Sequence, residues 1–382
     1  MIDNPFKFGR EVVGEQFYDR VEAASTLYRK LSGGSSNVIM YAPRRYGKTS
    51  LVKKVLGRFN DEGVKSLYFD VNKVETIGRF CEEYTSALAS LDGKGAGIVD
   101  SITRWLAHLR PTFQFGGEAP VSVKFEYGER MTATSLSSVL DLAEKIAQER
   151  GNGPLVVAFD EFQEIGTLSP DLPLEGIFRS VIQAHQNVRY LFFGSKTHML
   201  MRMFGDKSRP FYKSAAVVRL GKPPPDEGVK FIMNRFASRS VGIDETVARR
   251  IVEMSENIPY YLQQLASLAF DEVKSRDRDW VEFADVDLAV KAVVEENADY
   301  YTELLRSFSP NQRLLLSALS FESTGEFTAA YRERHSLGGS STVHSALDVL
   351  VNAGVVEISA ENGYSLSDPF LARYVRMPAG KA

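Results

Sequence analysis

Residues 38–59 constrain this chain more than any other stretch. An apolar run, Val38, Ile39, Met40 and Tyr41, follows the breaker segment SGGSSN and reads as a buried strand. The loop APRRYGKTS comes next, and then Leu51, Val52, Val55, Leu56 and Phe59 recur at helical spacing with lysines between them, up to FNDEG. Strand, tight loop and helix in that order bring the loop's N–H groups and the positive end of a helix dipole to one spot, an arrangement that suits phosphate.

The loop fits the pattern G-x-x-x-x-G-K-[ST] at three of its four fixed positions, Gly47, Lys48 and Thr49, with Ala42 where the first glycine belongs. Gly47 allows close backbone approach, Lys48 reaches outer phosphates as a point charge, and the Thr49 hydroxyl is a ligand for magnesium. The methyl group of Ala42 is tolerated if its φ is negative, with Pro43 fixing the turn. Arg44 and Arg45 add donors suited to phosphate oxygens or to an acidic partner. The candidate nucleotide-contacting set is Ala42, Pro43, Arg44, Arg45, Tyr46, Gly47, Lys48, Thr49 and Ser50. A strand-to-helix loop that carries GKT by chance is the bland alternative, so the rest of the chain must supply the other half of a site.

That half is found at Leu155 to Phe159, a continuous apolar strand that delivers Asp160 and Glu161 at its C-terminal end. In an open parallel sheet, ligands bind at the carboxyl ends of the strands, where Asp160 would meet Thr49 and a metal. Asp160 is the expected magnesium ligand with Thr49, and Glu161 the residue that orients or polarises an attacking water. Alone, an Asp-Glu pair at a strand end is more often a helix cap with a first-turn acid. A further strand, Val188 to Phe193, ends in Gly194-Ser195, which makes Ser195 a candidate γ-phosphate sensor, and Val64 to Val71 supplies another ending in Asp70. This strand set suits a parallel sheet with an extra strand between the two motif strands.

Composition bounds the rest. A chain of 382 residues suggests two or three domains, and a net charge of -3 gives no global basic field to draw it onto nucleic acid or an anionic membrane. The single cysteine, Cys81, excludes an internal disulfide and a cysteine-based zinc site, and fits a reducing cytoplasm. No apolar run approaches the ~20 residues that span a bilayer, and no signal-type segment opens the chain.

Several motifs in order now resemble one family, the archaeal-type P-loop ATPases, a branch of the STAND and AAA+-like NTPases that also occurs in bacteria. APRRYGKTSL, FDEFQEI and FFGSKTHML are similar to its signatures, and the segment FYDRVEAASTLYRKL resembles its N-terminal element, with Arg20 and Glu22 placed near the adenine. The resemblance covers nearly the whole chain and implies ATP with Mg²⁺ as ligands; adenine preference comes from it alone. NIPYYLQQLA resembles the family's G-x-P lid motif, with Asn257 in place of the glycine, a residue that tolerates the left-handed conformation, and Pro259 approaching the nucleotide. A proline in the first turn of a core helix is an equally good reading of Pro259. Arg209, in FGDKSRPFYKSA, lies where such proteins often place a charged loop, making it a candidate arginine finger; a solvated loop arginine is commoner.

GKPPPDEG is the clearest boundary, because three prolines exclude helix and central strand before Asp226 and Glu227 open a helical segment. The expected organisation is an α/β P-loop domain over 1–221, with parallel sheet and helices on both faces, a helical lid over 222–300 and a winged helix over 301–382. The last region reads as three helices and a hairpin, the third helix at SSTVHSALDVLVNAG. Between Arg334 and Arg373 it has no lysine or arginine, so it is ill suited to duplex DNA and is expected to pack on protein. The segment 112–129, TFQFGGEAPVSVKFEYGE, alternates around a turn and reads as an inserted β-hairpin that packs on the core, covers the nucleotide or meets a partner.

The leading expectation is a slow, Mg²⁺-dependent ATPase of switch type with a protein partner, able to form an oligomer and bound to no membrane. The alternatives are a DNA-binding AAA+-like module of origin-recognition or transposition-helper type, and a nucleotide-binding scaffold with negligible turnover. A P-loop kinase fits less well, because Glu161 directly after Asp160 suits water activation.

Overall fold

The computed structural model describes residues 3–9, 20–33, 36–92, 96–116, 121–126, 131–151, 153–359 and 363–377. The described chain divides into two units. One is Arg20–Ala42 with Lys48–Leu220; the other holds residues 3–9, Pro43–Gly47 and the residues from Gly221 on.

The first unit begins with helix α1 (Val21–Gly33) and strand β1 (Asn37–Tyr41), followed by α2 (Lys48–Asp61) and β2 (Ser66–Asp70). Helices α3 (Ile77–Ala89) and α4 (Ala96–Trp105) lead into a hairpin of β3 (Pro111–Phe115) and β4 (Val121–Phe125). Then come α5 (Ala133–Arg150), β5 (Leu155–Asp160), α6 (Leu174–Ala184), β6 (Val188–Gly194), α7 (Thr197–Gly205) and β7 (Ala215–Arg219). The five long strands form one sheet in the order β2-β5-β6-β1-β7, every neighbouring pair parallel. Strand β6 stands between the two motif strands, as expected. All residues of β5 are buried, which is why it reads as an unbroken apolar run rather than an alternation. The register sets Asp70 opposite Asp160 and Tyr41 opposite both Gly194 and Arg219, so the carboxyl ends of the strands finish level.

One face of this sheet carries an aromatic core in which Phe159 stacks on Tyr190 and Phe192, and packs against Phe69, Phe80 and Tyr84. The β3–β4 hairpin belongs to the same core through buried Val121, Val123 and Phe125. Its outer edge is held by a helix instead of another strand: Val123 N donates to Ser86 Oγ at 2.8 Å and Phe125 N to Glu82 Oε1 at 3.2 Å, both acceptors on α3. Edge amides that would otherwise invite pairing are thereby satisfied. Of the three roles left open for this segment, packing on the core is what the described residues support; its turn, 117–120, lies outside them.

The second unit comprises α8 (Pro225–Ala237), β8 (Gly242–Ile243), α9 (Glu245–Met254), α10 (Pro259–Ser275), β9 (Trp280–Val281) and α11 (Phe283–Glu296), then α12 (Ala298–Arg306), α13 (Pro310–Phe321), α14 (Ala329–Arg334) and α15 (Ser340–Asn352). The strands β10 (Val356–Ser359) and β11 (Gly363–Leu366) pair antiparallel before the last helix, α16 (Pro369–Arg376). Thr324 bridges to Tyr364 and adds a third short element to the wing. The sequence places a hairpin after three helices, and the structure has α13, α14, α15 and β10–β11 in that order.

This division differs at two places from an unbroken first domain over 1–221. Asn4 Nδ2 donates to Ser267 O and to Asp271 Oδ1, Arg235 donates to Pro5 O, and Phe6 packs edge-on against Phe236, so residues 3–7 are pinned to α8 and α10. Residues Pro43–Gly47 go with the second unit for reasons that lie in the site itself.

Candidate functional site

The sheet unit supplies a cluster at the ends of β1, β5 and β6. Helix α2 begins at Lys48, whose side chain is largely buried, and Ser50 is buried in the same turn. One turn-face away, Thr49 Oγ1 donates to Asp160 Oδ2 at 3.0 Å, and Tyr68 OH donates to the same oxygen at 2.7 Å. The other oxygen, Oδ1, accepts from Glu161 N at 2.9 Å. Burial pushes the Asp160 carboxyl above its usual range; the Tyr68 and Thr49 hydroxyls pull it back, while the charges of Glu161 and Asp70 push it further up. A buried carboxylate with two hydroxyls at hand and like charges around it is a donor set for a hard cation, which prefers oxygen ligands. Among the described residues no group of three or more His, Cys, Asp or Glu could cage a metal.

Glu161 follows in the left-handed conformation, φ 49°, ψ 40°, which turns its side chain away from the strand direction. Its carboxylate accepts from Ser195 N at 3.0 Å, Ser195 Oγ at 3.0 Å and Gln163 Nε2 at 2.6 Å. The predicted sensor and the predicted base are thus direct partners. Gln163, buried and unforeseen from the sequence, fixes the arrangement; it also donates to Glu164 Oε1 at 3.2 Å. Tyr68 is likewise unforeseen, since its hydroxyl hides inside the apolar run SLYFD. An alternation count would have placed it on the same side of β2 as Asp70 and offered the only signal.

The rest of the loop lies in the second unit. Its left-handed residues are Arg45, φ 68°, and Gly47, φ 77°, whereas Ala42 is not among them. The first-glycine position therefore needs no positive φ, and alanine is tolerated there on the ground stated from the sequence. Arg45 has several partners. Its carbonyl accepts from Tyr260 N at 3.3 Å, its guanidinium lies over the rings of Tyr260 and Tyr261 at 5.2 and 4.8 Å, and Nη1 meets Tyr261 OH and Asp368 Oδ2, the latter at 3.1 Å. Next to it, Tyr46 OH donates to Glu357 Oε1 at 2.9 Å. Burial raises the Asp368 carboxyl while the Arg45 charge, two backbone amides and Tyr301 OH lower it.

Pro259 opens α10 directly before the two tyrosines that flank Arg45, and Asn257 has φ 56° with Nδ2 donating to Pro223 O at 2.6 Å, so the asparagine does replace the glycine's conformation. Arg20 is buried immediately before α1, and Glu22 is exposed in its first turn, while residues 10–19 of that element lie outside the described residues. Arg209 is in the loop after α7, where both Nε and Nη2 engage the Glu175 carboxylate on α6, Nε at 3.0 Å. Arg44 is exposed.

Comparison with known proteins fits this picture at the level of fold. A family model described as a probable winged helix domain matches residues 299–377. The Walker-type ATPase of Pyrococcus abyssi superposes with a TM-score of 0.67 at 17% identity, covering 98% of this chain and 100% of that one. The ORC2 protein of Aeropyrum pernix, in ADPNP and ADP complexes, gives 0.55 at 16% identity over 94% and 93%. No curated protein sequence matches. The chain therefore has the P-loop ATPase fold, an α/β parallel sheet followed by helices and a C-terminal winged helix. Its structural neighbours are of archaeal P-loop ATPase and origin-recognition type, in keeping with the family its motifs resemble. Among the described residues no helix is long and apolar enough to cross a membrane.

Proposed function

We propose that this chain is a magnesium-dependent ATPase of switch type and a member of the archaeal-type P-loop ATPases. The observation that carries the proposal is the 3.0 Å hydrogen bond from Thr49 to Asp160, which joins the loop's last fixed position to the strand-end acid 111 residues away. Lys48 would pair with the outer phosphates, and Thr49 with Asp160 would hold the magnesium ion, which supplies charge neutralisation at those phosphates. Glu161 would orient the attacking water, and Ser195 would report the presence of the γ-phosphate by exchanging its hydrogen bond to Glu161 for one to phosphate. With three donors already on its carboxylate, Glu161 is held away from that task, which agrees with slow turnover and with hydrolysis gated by a conformational step.

Arg209 remains a candidate finger only if its pair with Glu175 opens, and Pro259 is assigned a supporting role through Tyr260 and Arg45. A protein partner in a cytoplasmic setting fits the acidic winged helix better than duplex DNA does, because α15 presents no cation to a phosphate backbone. The origin-recognition-type reading would require binding to duplex DNA at ~50 mM salt that weakens steeply as salt rises. The direct test of the ATPase is titration of the chain with Mg-ATP and assay of phosphate release beside Lys48→Ala, in which binding should be lost.

A further inference from the structure

We infer that Asp368 and the phosphate groups of the nucleotide compete for Arg45, so that the winged helix is latched to the phosphate loop when the site is empty and let go when it fills. The inference rests on the nucleotide reading above and names how that site is regulated. Asp368 has two duties that can be separated. Its Oδ1 accepts from Phe370 N at 2.9 Å and Leu371 N at 3.2 Å and so caps α16, while its Oδ2 faces Arg45 Nη1 at 3.1 Å and Tyr301 OH at 3.2 Å. The cap rigidly aims the second oxygen at the loop. Asp368 is largely buried, whereas the Arg45 side chain is 40% exposed, so the arginine is the member that can turn to another anion.

Arg45 is three residues from Lys48, and its backbone sits in the sparsely populated left-handed region that non-glycine residues adopt only when their surroundings hold them. Those surroundings are Tyr260, Tyr261 and Asp368, which come from α10 and the start of α16. Tyr46 adds a second tie to the winged helix through Glu357 on β10. Phosphate oxygens accept from a guanidinium as a carboxylate oxygen does, and the group carries more charge. Binding nucleotide and holding Asp368 are therefore alternatives for one side chain, and each weakens the other by the same factor.

The test uses the full chain and a non-hydrolysable ATP analogue with magnesium. Asp368→Asn and Asp368→Ser both keep a good helix cap and remove the carboxylate charge. Each should bind the analogue about 3- to 10-fold more tightly than wild type, the range expected for loss of a partly exposed ion pair. In an Arg45→Gln background the same substitutions should change affinity by less than about twofold. Hydrogen exchange over 356–376 should rise when the analogue is added to wild type, and start high and stay unchanged in Arg45→Gln. Wild-type affinity in both Asp368 variants, or an equal gain with and without Arg45, overturns the latch while leaving the nucleotide site intact. Failure of the wild type to bind at all, matching Lys48→Ala, would instead remove the underlying functional reading and the latch with it.

Discussion

Gly194→Ala should damage the site without removing any side chain given a chemical role. Gly194 ends β6, and its φ is not in the positive region, so the backbone itself accepts alanine. The added Cβ would overlap Gln163 Oε1 and stand 3.1 Å from Gln163 Cδ and from Glu161 Cα. Gln163 is 2% exposed and gives Nε2 to Glu161 at 2.6 Å, so it has nowhere to go except by surrendering that bond. Overpacking a dense interior costs about 1–3 kcal/mol, and giving up a hydrogen bond to a charged group about 1.5–3 kcal/mol. The chain will take whichever route is lower, so the loss should be about 1–3 kcal/mol. For a unit of some 200 residues that is a fall in thermal midpoint of roughly 2–12 °C. Differential scanning of wild type, Gly194→Ala, Gln163→Ala and the double variant gives the comparison. In the Gln163→Ala background the overlap with that side chain is gone and only the 3.1 Å approach to Glu161 Cα is left, so Gly194→Ala should cost about 1 kcal/mol less than in the wild type. An equal cost in both backgrounds, or none in the wild type, would show that the Gln163 side chain does not set the cost.

Other outcomes follow from single contacts. Thr49→Ala should reduce the dependence of nucleotide affinity on magnesium by about 10-fold or more, read by titration with and without the metal. Ser86→Ala leaves the buried Val123 amide unpaired and should cost about 1–3 kcal/mol in thermal stability while nucleotide affinity stays unchanged. Burial holds the His185 imidazole below its ordinary 6.5, although Glu144 and Asp141 pull it upward. The unfolded chain then takes up the proton first, so stability present above pH 6.5 should fall as pH drops below it, by at most ~1.4 kcal/mol per pH unit, and His185→Asn should flatten that limb of the curve.

The sheet half of the site was legible because its chemistry sits where strand periodicity ends: Gly47, Lys48 and Thr49 after β1, Asp160 and Glu161 after β5, Ser195 after β6. Those residues break apolar runs, and although each has a commoner use alone, their occurrence together in this order points to one site. The positioning residues were not legible. Tyr68 looks like one more aromatic in an apolar strand, and Gln163 looks like surface in FDEFQEI, until folding buries it against Gly194. The hairpin's alternation marked it as a hairpin, but its docking depends on Ser86 and Glu82, spaced one turn apart on α3 and indistinguishable in sequence from solvent-facing residues. Arg45 was legible only in part. Its residue type suits phosphate oxygens or an acidic partner, but nothing in sequence indicates a left-handed backbone or a carboxylate 323 positions away as that partner. Local pattern shows which elements form, whereas long-range pairing depends on how those elements come together.

Lys48 and Glu161 carry separable roles in the proposed chemistry, one in binding and one in turnover. Magnesium-dependent ATP binding and phosphate release should be measured together for wild type, Lys48→Ala and Glu161→Gln. Lys48→Ala should lose binding, and Glu161→Gln should bind as wild type does but release no phosphate above background. Binding and release alike in all three proteins would contradict the account and place the chemistry elsewhere in the chain.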